Sequence, residues 1–315
     1  LDMSEGGNAT FVGQIITSTA GSNNVRLGDG AGAALESGSQ RNVVIGSNAG
    51  AALTTGDYNV AVGYNALDAE DTGTRSTAIG YFALSAQNND SSNHNTAVGF
   101  TALEQTTTGI ENTGIGSQSL NANTTGAENT AVGQNSLLSN TTGANNVAVG
   151  KSCLASATTA SNNTAVGHTA LGANTTGTQN VAVGALALDS CTTGNNNTIV
   201  GYNSAQAQTT ASAVTALGAS VLGNNTGNEN TAIGAFSMGA NTSGTSNVAV
   251  GNSSLAANTT ASNNTAVGAS ALDANTTGAS NTAIGKDALT DNTTGTNNVA
   301  VGENALANNT TAGEN

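Results

Sequence analysis

From residue 42 onward the chain repeats one hydrophobic pattern. An aliphatic residue followed by glycine recurs at Gly46, Gly63, Gly80, Gly99, Gly116, Gly133, Gly150, Gly167, Gly184, Gly201, Gly218, Gly234, Gly251, Gly268, Gly285 and Gly302. The spacing is 17 residues, except for 19 before Gly99 and 16 before Gly234, which makes sixteen units over residues 42–315. Two looser copies, ATFVG ending at Gly13 and NVRLG ending at Gly28, lie in a less regular segment, residues 1–41, that reads as irregular coils, a cap or an attachment piece.

Within each unit the residue before the glycine is Val, Ile or Leu, and the residue three before it is Val or Thr. These two share one side of an extended segment. The residue between them, Ala in thirteen units, points to the other side, because side chains alternate along a strand. Asn stands four before the glycine in fourteen units, with Ser76 and Val214 as exceptions, and Leu stands four after it in thirteen. Each unit thus offers two short apolar stretches separated by turns. The second turn is usually NTTG, as at residues 123–126, where Gly accepts positive φ and Asn bonds nearby backbone.

Seventeen residues rich in Gly, Asn and Thr cannot hold the helix pair of a helical solenoid. They suit one coil of a parallel β-solenoid, whose equivalent strands stack about 4.8 Å apart along an axis. The expectation is an all-β rod of about 16 coils, about 75 to 80 Å long by that spacing. Like residues then lie on like: a valine ladder (Val62, Val98, Val132, Val166, Val200, Val267), a leucine ladder (Leu103, Leu137, Leu171, Leu272, Leu289) and an amide ladder (Asn129, Asn163, Asn264, Asn281). Positions just after the glycine vary freely, as at Tyr64, Phe100, His168 and Lys286, and are expected to face solvent.

Composition narrows the functional classes. Only 8% of the 315 residues are charged and 3% aromatic, 41 are Gly, and Pro and Trp are absent, a bias that signals disorder or a repeat fold. With 37% hydrophobic residues in strict register, the repeat fold is the better reading. Five cations in a chain of net charge −14 cannot form a basic stripe, so nucleic acid is not an expected partner, and no apolar run is long enough for a membrane-spanning helix.

The motif N-[TV]-A-[VI]-G, followed by x-x-A-L and NTTG, resembles the head repeats of trimeric autotransporter adhesins. It is still more similar to the longer-period repeats of bacteriophage and algal-virus tail-fibre proteins, as in TTGDYNVAVGYNALDAEDTGTRSTAIG at residues 54–80. The resemblance implies a left-handed parallel β-roll, three chains around a common axis, and a place outside the cell, on a cell surface or on a virion. The thirteen Ala residues suit either a close approach of strands at such an axis or tight packing inside a single roll.

Candidate chemistry is sparse. His94 and His168 are isolated, and Cys153 and Cys191 fall at different places on coils two layers apart, so neither a catalytic constellation nor a disulfide is expected. GDGAG at residues 28–32 superficially suggests a calcium turn, yet the repeated GGxGxD motif is absent and Asp does not recur in register, so a tight turn is the simpler reading. Asn123, Asn140, Asn174, Asn241, Asn258, Asn275, Asn292 and Asn309 each begin N-x-[ST] seven residues after a marker glycine. An Asn-Thr-Thr turn generates that pattern unaided, but in a glycosylating pathway sugars would line one edge of the rod.

No enzyme and no cofactor is expected. The expected protein is a structural fibre, the shaft of an extracellular or virion tail fibre. It would associate with itself as a homotrimer and adhere weakly at many points to surface glycans or receptors. A head-to-tail filament is the alternative, since the array stops at NTTAGEN where another strand would begin and an uncovered solenoid end invites stacking. Ice binding by regular Thr ladders ranks below both, because the paired Thr of each NTT turn, if extended, would point to opposite faces.

Overall fold

A computed structural model describes residues 21–315. The looser copy ending at Gly13 lies outside those residues. Seventeen three-residue strands, β1 (Val25–Leu27) to β17 (Val299–Val301), form one sheet in which each strand pairs in parallel with its predecessor and successor. Pairing is strictly in register: Val147, Ala148 and Val149 lie on Thr164, Ala165 and Val166, and Val267 lies on Ile284. The protein is a parallel β-solenoid with a 17-residue period and no helix among the described residues. The second looser copy, ending at Gly28, is a true coil, for β1 pairs with the strand Val43–Ile45 across an 18-residue spacing.

Only the first apolar stretch of each unit is a strand. The second, around the leucine, is a run of tight turns in which the residues two and four after the marker glycine take left-handed backbone, as does the residue five before it. In the coil of Gly167 these are Thr169, Leu171 and Asn162, with φ of 51°, 54° and 60°. Left-handed backbone is unfavourable for Leu and Thr and persists only where the surroundings impose it. Here the coils on either side impose it: the Leu171 N–H donates to the Ala187 carbonyl at 3.0 Å, and the Thr169 N–H to the Lys151 carbonyl at 3.0 Å. Gly167 itself has φ of 138°, and a Cβ there would sit 2.5 Å from the Gly184 carbonyl oxygen. Close contact between successive backbones is why the marker position must be glycine.

A continuous core runs from Leu35 to Ala300. The Ala of each strand faces into it, as Ala131, Ala165 and Ala266 do, and Leu103, Leu137, Leu171, Leu272 and Leu289 are completely buried. Of the two places open to the alanines, the structure assigns them to the interior of the single roll. The valine ladder takes the other side. Val62, Val98, Val132, Val166, Val200 and Val267 are stacked in register but face outward, partly or well exposed. They form a ladder on the surface rather than in the core.

The asparagine ladder lies inside. Asn163 shows its unit: its backbone N–H and Nδ2 both donate to Asn146 Oδ1 at 3.0 and 3.2 Å, and Nδ2 also donates to the Gly177 carbonyl at 2.9 Å. Asn129 donates likewise to Asn112 Oδ1, and Asn281 to Asn264 Oδ1. Buried amides cost free energy unless bonded, and stacking gives Asn129, Asn146, Asn163 and Asn180 a partner above and below, whereas Asn264 Nδ2 is buried without one.

Candidate interaction face

The outward side of the sheet carries two parallel rows. The row just before the marker glycines is aliphatic in all seventeen strands, and the row two residues earlier is Thr or Val. Neither row holds a charge, so the acidic side chains of the described residues lie elsewhere on the rod. In the middle of the array Val149 and Val166 are 36% exposed, Ile115 40% and Leu217 48%. An uninterrupted aliphatic ridge of this length departs from the scattered single apolar residues of an ordinary surface.

Aromatic residues flank the ridge over the early coils, at positions following the marker glycine. The Tyr64, Tyr81 and Phe100 rings stack along the axis with centroids 5.4 Å apart, at 15° and 4° between planes. Phe82 packs edge-on to Tyr81 at 4.6 Å. At the other edge of the strands Arg41 and Arg75 both stand over the Tyr58 ring, at 5.2 and 5.5 Å, and Arg41 Nη1 donates to the Tyr58 hydroxyl at 2.7 Å. The expected solvent exposure of Tyr64, Phe100, His168 and Lys286 matches their positions. Lys286 pairs with Asp287 at 3.0 Å and Glu303 at 3.8 Å, exposed contacts of small energetic weight.

The N-x-[ST] asparagines are not on an edge. Asn123, Asn140, Asn174, Asn241, Asn258, Asn275 and Asn292 are completely buried, and Asn309, in the last coil, is half-buried. They build a second internal amide ladder: Asn140 Nδ2 donates to Asn123 Oδ1 at 2.8 Å and to the Gly143 carbonyl at 3.0 Å, and Asn258 and Asn292 repeat the arrangement. A sugar on the buried nitrogens would have no room in the folded rod, so the sugar-lined edge is withdrawn. In seven of these eight turns the first Thr is also engaged, its hydroxyl donating to a carbonyl one coil on, as Thr124 Oγ1 does to Thr141 at 2.9 Å. The second, as at Thr125, faces solvent.

His94 and His168 are exposed on separate coils. Both cysteines are free and buried, Cys153 in the small-residue position before the leucine and Cys191 in the second amide ladder. Burial pushes the Cys153 thiol up to about 12, so it stays protonated and unreactive. The segment at residues 28–32 is a turn, with Gly30 and Gly32 at φ of 66° and 51°. Among the described residues no group of three His, Cys, Asp or Glu side chains is placed to hold a metal ion, and no helix is long and apolar enough to cross a membrane.

Among the described residues one carboxylate lies deep inside. Glu70 occupies the second amide ladder and accepts from the Gly73 N–H at 2.7 Å, Gln87 Nε2 at 2.8 Å and Asn93 Nδ2 at 3.0 Å. Burial raises its pKa above the ordinary value of 4.5, against the lowering effect of those hydrogen bonds.

No family model matches the chain, and no curated protein matches it.

Proposed function

We propose that the protein is a structural fibre shaft, non-enzymatic, whose copies associate through the outward face of the sheet. The observation that carries this reading is the uncharged double row of aliphatic and Thr/Val side chains along the rod. The aliphatic row is continuous over all seventeen strands, with Ile79, Ile115, Val149, Val166, Leu217 and Ile284 well exposed along it, so the face offers one long apolar strip to a partner rather than scattered contacts. Regular axial bonding supplies stiffness, and the aromatic and cationic positions beside the early coils supply points for weak multivalent contact with glycans or receptors on a surface. A place outside the cell or on a virion, and a homotrimer, rest on the resemblance of the repeat to adhesin heads and viral tail fibres. Three rods around an axis would each bury the same face.

Ice binding is a second reading, favoured by a different set of threonines from the turn pairs. Thr and the aliphatic residue of each strand make two parallel rows on one flat face, although seven of the seventeen Thr/Val positions are Val.

Negative-stain imaging with sedimentation separates these ideas. Laterally associated rods about 75 to 80 Å long support the shaft. End-to-end filaments many times that length would replace it with the head-to-tail alternative. Monomeric rods that arrest ice recrystallisation would replace it with the ice reading.

A further inference from the structure

The second amide ladder is broken where the repeat places Ala157. In an intact coil, such as that of Asn140, the Asn Nδ2 donates to the preceding Asn Oδ1 and to its own turn carbonyl, while its Oδ1 awaits the next Nδ2. Ala157, completely buried, can supply none of these bonds.

Three polar groups around it are left short. Asn140 Oδ1, buried, has no hydrogen-bond partner. Asn174 Nδ2 donates to the Gly177 carbonyl at 3.0 Å but lacks the bond to a preceding Oδ1 that its equivalents make. The Ala160 carbonyl accepts from Asn146 Nδ2 at 2.8 Å, whereas its equivalents Gly143 and Gly177 accept from two amides each.

We infer that a single structural water occupies the site beside Ala157. It donates to Asn140 Oδ1 and the Ala160 carbonyl, and it accepts from Asn174 Nδ2. Those are the three bonds that the absent Asn amide would make, and three is the usual number for a buried water. The Asn-to-Ala exchange removes the amide, and the room it leaves is bounded by the buried methyl of Ala160, which stands where Gly143 and Gly177 lie in the neighbouring coils. The mixed set of two acceptors and one donor suits water rather than a cation, which Asn174 Nδ2 would repel. One break along, Cys191 fills the same ladder position with its sulfur, 3.9 Å from the Gly194 carbonyl, and the preceding Asn174 Oδ1 is again without a partner, but there the sulfur stands in the place of the amide.

A crystal structure at a resolution that shows ordered water, together with melting of two variants, tests the site. Ala157→Asn restores the amide and is expected to melt about one to two degrees above the native protein. Ala157→Cys places in the gap the residue that the chain itself tolerates at 191, expels the water and is expected to melt below native. A density peak within hydrogen-bond reach of Asn140 Oδ1, the Ala160 carbonyl and Asn174 Nδ2, lost in both variants, establishes the water. A native site without such a peak, or Ala157→Cys melting above native as filling a dry cavity would, overturns it.

Discussion

At the scale of the residue, the interior is set by pairing rather than by bulk. Asn163 holds partners on both sides: besides its bonds to Asn146 and Gly177, its Oδ1 accepts from the Asn180 backbone N–H and Nδ2 at 3.0 and 3.2 Å. Asn163→Ala leaves that N–H buried without an acceptor and is expected to lower stability by about 1–3 kcal/mol in denaturant melts. The exposed Asn88→Ala control should stay within about 0.5 kcal/mol; equal effects would mean that the ladder carries no special weight. Glu70 gives the pH dependence its sign. Because burial raises its folded pKa, the unfolded chain ionises first, and stability falls as pH rises from near 4.5 through the folded value, then levels. Melting temperature against pH should lose this component in Glu70→Gln; identical profiles for the two proteins would refute the assignment.

The element here is the coil, and its filling is conserved in volume more than in identity. Where the strand alanine is replaced by Ile199, the usual leucine becomes Ala205, and both are completely buried. Where the leucine position is Gly32 or Gly50, Val44 on the strand and Leu35 or Leu53 from farther along fill the space; a Cβ on Gly50 would meet Leu53 and Val44 at 2.8 Å. Close-packed interiors permit such exchanges only in compensating pairs. Ala205→Leu alone is therefore expected to destabilise, and Ile199→Ala added to it to restore most of the loss. A double-mutant cycle should give a coupling of about 0.5–3 kcal/mol, while additive effects would show that the two sites do not share space. The period, the strands, their register and the first amide ladder were all legible in the sequence, because stacking turns identity at fixed spacing into contact. The side of the sheet on which Val62 and its equivalents lie was not, since alternation sets Ala against Val without saying which faces inward. Nor was the second ladder: its asparagines sit in a turn motif that also spells a glycosylation signal, and only the depth of Asn123 and Asn275 distinguishes the two. The left-handed backbone at Leu171 has no signature in a residue that normally avoids it.

At the scale of the whole molecule, placing alanine inside and valine outside makes a thin rod with an apolar, uncharged ridge along one side and its acidity elsewhere. A narrow interior of Leu, Ala and Asn leaves the sheet's outer rows as a continuous apolar surface, which burial against another copy, as proposed, would remove from water. Sedimentation velocity of the native protein beside a Val149→Asp, Val166→Asp, Val183→Asp variant tests this most directly, with circular dichroism to establish that the variant keeps its strands. The native rod is expected to sediment as a discrete multimer and the folded variant as a monomer. A native protein that is monomeric at concentrations of tens of micromolar, or a folded variant that sediments unchanged, would contradict the account.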